Sequence, residues 1–158
     1  MRGLAVKLVD VIVPQASVLD MRARTKKEAL RELAETMSRA VPELATDQLL
    51  ETLMEREKLG TTAMGDGIAI PHARLDHVDR IMVSFGKSRV GVNFESVDGD
   101  LTRLFFLLVA PKREGSAHLL ALARLSRVLS HEEFRQRLLE IDSTDELIRA
   151  LEQEESKH

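Results

Sequence analysis

The residues best placed to do chemistry lie in one run, Arg56 to Arg74, which reads REKLGTTAMGDGIAIPHAR. Gly60, Gly65 and Gly67 allow the backbone to turn and expose its N–H groups. Together with the hydroxyls of Thr61 and Thr62, the backbone at Gly65 and Gly67 forms a candidate cradle for an anion. The short apolar piece Ile68-Ala69-Ile70 then delivers His72, and Pro71 stiffens the approach. An imidazole with an ordinary pKa of about 6.5 is largely neutral near pH 7 and can act as a nucleophile. Arg56 ends the preceding helical stretch, from where a guanidinium can return as a bidentate phosphate partner. His118 follows Gly115 and Ser116, where a long amphipathic stripe begins. That is in or near the first turn of a helix, where amides and the macrodipole favour an anion. Phosphoryl transfer depends mostly on positioning and charge stabilisation. His72, His118 and Arg56 therefore make a coherent phosphoryl-accepting set.

Each of these residues also has a plainer reading. A glycine-rich turn with one histidine is a common loop, and no spacing rule reserves it for phosphate. His118 alone suits any helix start, and Arg56 alone suits a solvated helix face. His131 follows Ser130 and reads as surface. His72 and His77 are five apart, but Ala73 to Asp76 between them does not read as a regular helix presenting both. No third metal ligand is evident, so neither a metal nor another cofactor is called for. Residue types alone leave the phosphoryl site and the ordinary loop both open.

The elements that must position this run are legible on either side of it. LVDVIVP reads as a short β-rich segment closed by Pro14. Thr25-x-x-Glu28 is a capping box, with Leu30, Leu33, Ala34 and Met37 behind it at helical spacing. Pro42 breaks that helix, and Thr46 caps a second one carrying Leu49, Leu50, Leu53 and Met54. Beyond His72, Ile81 to Phe85 reads as a strand, and Val92-Asn93-Phe94 with the turn Asp98-Gly99 suggests a hairpin. Leu104 to Ala110 is almost unbroken apolar, as a central strand buried on both faces requires. A stripe through Leu119, Leu122, Ala123, Leu125 and Leu129 follows. Two further capping boxes, Ser130-x-x-Glu133 and Ser143-x-x-Glu146, open the closing helices. The pattern predicts one α/β domain over residues 1–158, a mixed sheet covered by helices on both faces, with a charged tail fraying from about Glu152.

Composition narrows the class of function. The chain has 158 residues, 44% hydrophobic, enough for one core. Aromatics are 3% and the net charge is −3, which gives little for stacking or attracting nucleic acid. No apolar run is long enough to span a bilayer, and no signal-peptide core is seen at the N-terminus. Cysteine is absent, which removes disulfides, thiolate metal sites and cysteine nucleophiles. A cytoplasmic domain, not embedded in membrane, is expected.

The run REKLGTTAMGDGIAIPHAR closely resembles the active-site signature of enzyme IIA of the phosphoenolpyruvate-dependent phosphotransferase system, in its mannitol/fructose class. The likeness extends to the LFFLLVAP strand and the SAHLLALARLSRVL helix. It implies an α/β fold with a mixed sheet of about five strands sandwiched between helical layers. It also implies that His72 takes its phosphoryl group from the histidine phosphocarrier protein HPr or a counterpart. His118 then assists and orients, and Arg56 stabilises phosphate. Ala63 stands where many members carry glycine, and Ala73-Arg74 where Gly-Lys is commoner; both substitutions bear on partner choice more than on phosphorylation. In sugar permeases of this class the next acceptor is a cysteine on a B domain. This chain has none, so onward transfer would go to a separate protein. The resemblance favours the stand-alone nitrogen-type regulator, signalling to target proteins by its phosphorylation state. A sugar carrier passing phosphate to a separate B domain is the alternative, and a binding module that has lost transfer is a third. A regulatory partner would dock over the rim of His72, to which Met64 and Ile68 would contribute unless they pack inward.

Overall fold

The computed structural model describes residues 7–113 and 115–157. In chain order it contains α1 (Leu8–Val11), a 3-10 turn (Pro14–Ala16), α2 (Lys26–Ala40), α3 (Thr46–Lys58), β1 (Ala63–Gly65), β2 (Ile68–Ala69) and β3 (His72–Leu75). β4 (Met82–Val92), β5 (Thr102–Pro111), α4 (Gly115–Leu129), α5 (Glu132–Glu140) and α6 (Thr144–Glu155) complete it. The apolar run is β5, and it is the sheet's central strand. β4 pairs with it antiparallel on one edge, closing the hairpin foreseen at Asp98-Gly99. β2 and β3 pair with it in parallel along the other edge. Both keep the same register, Ile68 opposite Leu104 and His72 opposite Leu108, so they act as one strand broken at Ile70-Pro71. β1 folds back antiparallel on β2.

β5 separates two apolar layers by simple alternation. Phe105, Leu107 and Val109 face a cluster containing Leu30, Leu33 and Met37 of α2 with Leu49 and Leu53 of α3. Leu104, Phe106 and Leu108 face Ala121, Leu125 and Val128 of α4, Phe134 and Leu138 of α5, and Leu147 and Leu151 of α6. Each face of a mixed five-stranded sheet is thus covered by helices, as the pattern predicted.

Four local expectations are corrected. LVDVIVP is not a strand; Leu8–Val11 form a single helical turn, because the Glu155 carboxylate, 147 residues away, accepts the Leu8 amide at 2.7 Å and the Val9 amide at 3.2 Å. Only Ile12 keeps a bridge, to Val83. Thr46 is the first residue of α3 rather than its cap; Ala45 holds that position, with no side-chain bond. The Ser130 box does not form either. His131 is the N-cap residue of α5, and the Ser130 hydroxyl donates instead to the Arg127 carbonyl at 2.6 Å. Finally, the tail does not fray from Glu152. α6 runs to Glu155, where Glu154 and Glu155 are buried. The Thr25 and Ser143 boxes form as read, each side chain accepting from the amide three residues on.

Candidate phosphoryl-acceptor site

His72 opens β3 opposite Leu108 and is partly buried. Its neighbours come from opposite layers. Arg56 reaches it from the last turn of α3 and His118 from the first turn of α4. The Arg56 Nε–H donates to Nε2 of His72 at 3.1 Å, and its Nη1–H donates to the Gly60 carbonyl at 2.9 Å. The two imidazole centroids are 6.3 Å apart. His72, His118 and Arg56 are therefore brought together.

The tautomer of His72 follows from its two contacts. Nδ1 lies 3.0 Å from the Ile70 carbonyl, which can only accept, so Nδ1 carries the proton. Nε2 then holds the lone pair, and the Arg56 donor points at it. Burial lowers the pKa of His72 below its ordinary value. Arg56 and His118 lower it further, against the Ile70 hydrogen bond and the Glu57 carboxylate, which raise it. The neutral, nucleophilic form is the resting one at pH 7.

The candidate cradle residues Thr61, Thr62, Gly65 and Gly67 are not brought together around His72. The Gly67 carbonyl accepts the amides of Arg103 and Leu104, while His72 pairs with Leu108. Four strand residues at about 3.3 Å each put the hairpin tip roughly 13 Å from the histidine. Gly65 and Gly67 serve a tight turn through Asp66, all three at positive φ, and the Asp98 carboxylate accepts the Asp66 amide there. An anion already held at that tip is no cradle for another. Thr61 and Thr62 are nearer but committed. The Thr61 hydroxyl donates to the Phe94 carbonyl at 3.4 Å and accepts the Ala63 amide at 3.1 Å. Thr62 is buried, and its hydroxyl and amide both donate to Glu57. The cationic and dipolar surroundings of His72 come instead from Arg56 and the α4 start, where the first amides lack intrahelical partners.

Sequence reasoning passed over Glu57, whose side chain is only 5% exposed; a glutamate beside an arginine at a helix end reads as surface. Leu119, read from sequence as part of the apolar stripe of α4, is instead 60% exposed beside His118, and Leu59, which local pattern did not single out, is 83% exposed beside Gly60. Of the two rim residues named from sequence, Met64 is about half exposed, whereas Ile68 packs into the α4-side core. His77 is exposed, and no group of three or more His, Asp or Glu side chains among the described residues converges on a metal position. Among those residues no helix is long and apolar enough to cross a membrane.

The chain is similar to known proteins over most of its length. A nitrogen regulatory protein of Bradyrhizobium diazoefficiens is 38% identical over 131 residues, 83% of this chain and 85% of that one. The crystal structure of nitrogen regulatory protein IIA-Ntr from Neisseria meningitidis superposes with a TM-score of 0.84 at 31% identity, covering 90% of this chain and 97% of that one. The complex of mannitol enzyme IIA with phosphorylated enzyme IIB from Escherichia coli matches at 0.72 and 28% identity, covering 88% of this chain and 95% of that one. The profile described as phosphoenolpyruvate-dependent sugar phosphotransferase system, EIIA 2, spans residues 11–154, and the chain belongs to that family.

Proposed function

We propose that this chain is a phosphocarrier with a regulatory role, whose His72 Nε2 accepts a phosphoryl group from a phosphohistidine protein of the HPr type. The observation that carries the reading is the fixed tautomer. Nδ1–H is held by Ile70, leaving Nε2 unprotonated beside the Arg56 guanidinium. In the step, the Nε2 lone pair forms a bond to phosphorus while the donor's N–P bond breaks, and the donor imidazole leaves with the bonding pair. No proton need move on His72. Arg56 must swing off Nε2 as phosphorus arrives, and its guanidinium is then well placed to pair with the phosphoryl oxygens. His118, in the first turn of α4, lies beside the acceptor ring at the positive end of that helix's dipole.

The regulatory role rests on the nitrogen regulatory relatives, which match most of this chain over most of their own length. Phosphorylation adds about 1.5 to 2 negative charges to a rim that bears Leu59 and Leu119. A partner seated on that apolar rim gains or loses contact according to the phosphorylation state. The second reading is transfer onward to a separate B domain, and the mannitol IIA–IIB complex among the structural neighbours favours it. Either role belongs to the cytoplasm, where phosphoenolpyruvate drives the chain of transfers.

The test is incubation with phosphoenolpyruvate, enzyme I and an HPr-type carrier. The expected product is an acid-labile phosphate on wild type and none on His72→Ala. Label retained by His72→Ala, or none on wild type, defeats the carrier reading and leaves the non-phosphorylated binding module. Efficient transfer to a cognate B-domain cysteine would favour the sugar carrier over the regulator.

A further inference from the structure

Glu57 and Thr62 touch none of the reacting atoms, yet they are bonded in series to the group that fixes His72. The Glu57 carboxylate receives three donors. Lys26 Nζ lies 3.0 Å from Oε1, the Thr62 amide donates to Oε1 at 3.1 Å, and the Thr62 hydroxyl donates to Oε2. A carboxylate this buried needs such pairing, because an unmatched charge away from water is costly. Thr62 has one polar group left, its carbonyl, and this accepts the Ile70 amide at 3.1 Å. Ile70 lies in the break between β2 and β3, and Pro71 after it restricts its backbone to extended conformations. With its amide tied to Thr62 and its ψ limited by Pro71, the Ile70 carbonyl is aimed at Nδ1 of His72. The series runs without a gap from Lys26 at the start of α2 to the acceptor imidazole.

We propose that Glu57 and Thr62 are a positioning pair for phosphoryl transfer. They hold the Thr62–Ile70 backbone so that the Ile70 carbonyl keeps the His72 proton on Nδ1 and the lone pair on Nε2. The proposal rests on the reading of His72 as the acceptor. Arg56 is held by the same arrangement, since it precedes Glu57 in α3 and its Nη1–H grips Gly60, two residues before Thr62. The clamp therefore acts on both sides of the Nε2–guanidinium contact.

The experiment uses the full chain and the variants Glu57→Gln, Thr62→Val and Thr62→Ser. Three quantities are read: the His72 tautomer in the nitrogen NMR spectrum of the unphosphorylated protein, the single-turnover phosphorylation rate from a phosphorylated HPr-type carrier, and the melting temperature. Wild type is expected to show one tautomer, protonated on Nδ1. Thr62→Val removes the hydroxyl donor, and Glu57→Gln replaces one acceptor oxygen with an NH2 group. Both are expected to give mixed tautomers and a rate lower on the order of 10-fold, the size typical when an orienting partner is lost. Thr62→Ser restores the donor and is expected to recover the wild-type tautomer and most of the rate. A purely structural pair would lower the melting temperature and leave the tautomer and the rate unmoved, within about twofold; that result overturns the proposal. If Thr62→Val does not fold, Glu57→Gln and Thr62→Ser decide by the same criteria. Failure of the acceptor reading looks different, because wild type then takes no phosphate on His72 while the tautomer comparison still reports on the pair.

Discussion

Nε2 of His72 can attack phosphorus only while it is unprotonated, so the site's activity follows the titration of that one ring. Burial, Arg56 and His118 together hold its pKa below the ordinary 6.5. The phosphorylation rate is therefore expected to rise with pH through a midpoint below 6.5 and to stay level from there to pH 8. Arg56→Gln removes one of the lowering charges. It is expected to move the midpoint up toward the ordinary value while reducing the plateau rate, since the phosphoryl oxygens lose their bidentate partner. A pH–rate profile of wild type and variant under single-turnover conditions reads both effects; an unchanged midpoint would contradict the Coulombic role given to Arg56. The same depression affects stability. The unfolded chain takes up the proton more readily, so the contribution of His72 is intact above about 6.5 and is lost as pH falls through the folded value. A His72→Gln variant is expected to lose that acid-side slope in urea titrations.

At the scale of elements, two Ser-x-x-Glu sequences behave differently, and the difference can be measured. Ser143 caps α6, accepting the Glu146 amide at 3.1 Å, while Glu146 reaches back to the Asp142 amide at 2.6 Å. Ser130 caps nothing and bonds an exposed carbonyl behind it. Ser143→Ala is expected to cost about 1 kcal/mol by urea denaturation, and Ser130→Ala less than about 0.5 kcal/mol. The contrast also shows where local pattern stops being informative. A box marks a helix start only if the chain leaves the preceding helix at that residue, and α4 ends one position too late for Ser130. Strand β5 and the stripes of α2 and α3 were legible because burial on one or both faces imposes its own period. Residue types suggested Arg56, His72 and His118 as one set but left the ordinary loop open, and the resemblance decided between them, since the convergence joins a helix end, a strand start and a helix start from two layers. Gly65 and Gly67 were misassigned because composition gives a turn but not its level along β5. Glu57 was passed over because its burial depends on Lys26 and Thr62, which no local spacing connects to it.

For the whole molecule, the two chain ends are coupled through one buried carboxylate. Glu155 closes α6, supplies acceptors for the first amides of α1, and pairs with Arg124 Nε of α4 at 2.8 Å. α1, most of the sequence away, thus meets α4 and α6 on a side chain only 5% exposed. This layer sits on the face of β5 that also carries the α4 core, so α4 and the His118 it presents are held by packing that begins at the chain's ends. Removing the carboxylate leaves two amides and a partly buried guanidinium without their acceptor, and breaking one partner of a buried pair is costly. Glu155→Ala is expected to destabilise the fold by about 3 kcal/mol in urea titrations. Truncation after Leu151 should cost more, because it also removes the last turn of α6. Well below the melting temperature, Glu155→Ala should still accept phosphate at close to the wild-type rate, since Glu155 meets none of the residues around His72. A variant as stable as wild type would show that α1 holds its place without this contact, returning the C-terminal turn to the frayed tail that composition suggested.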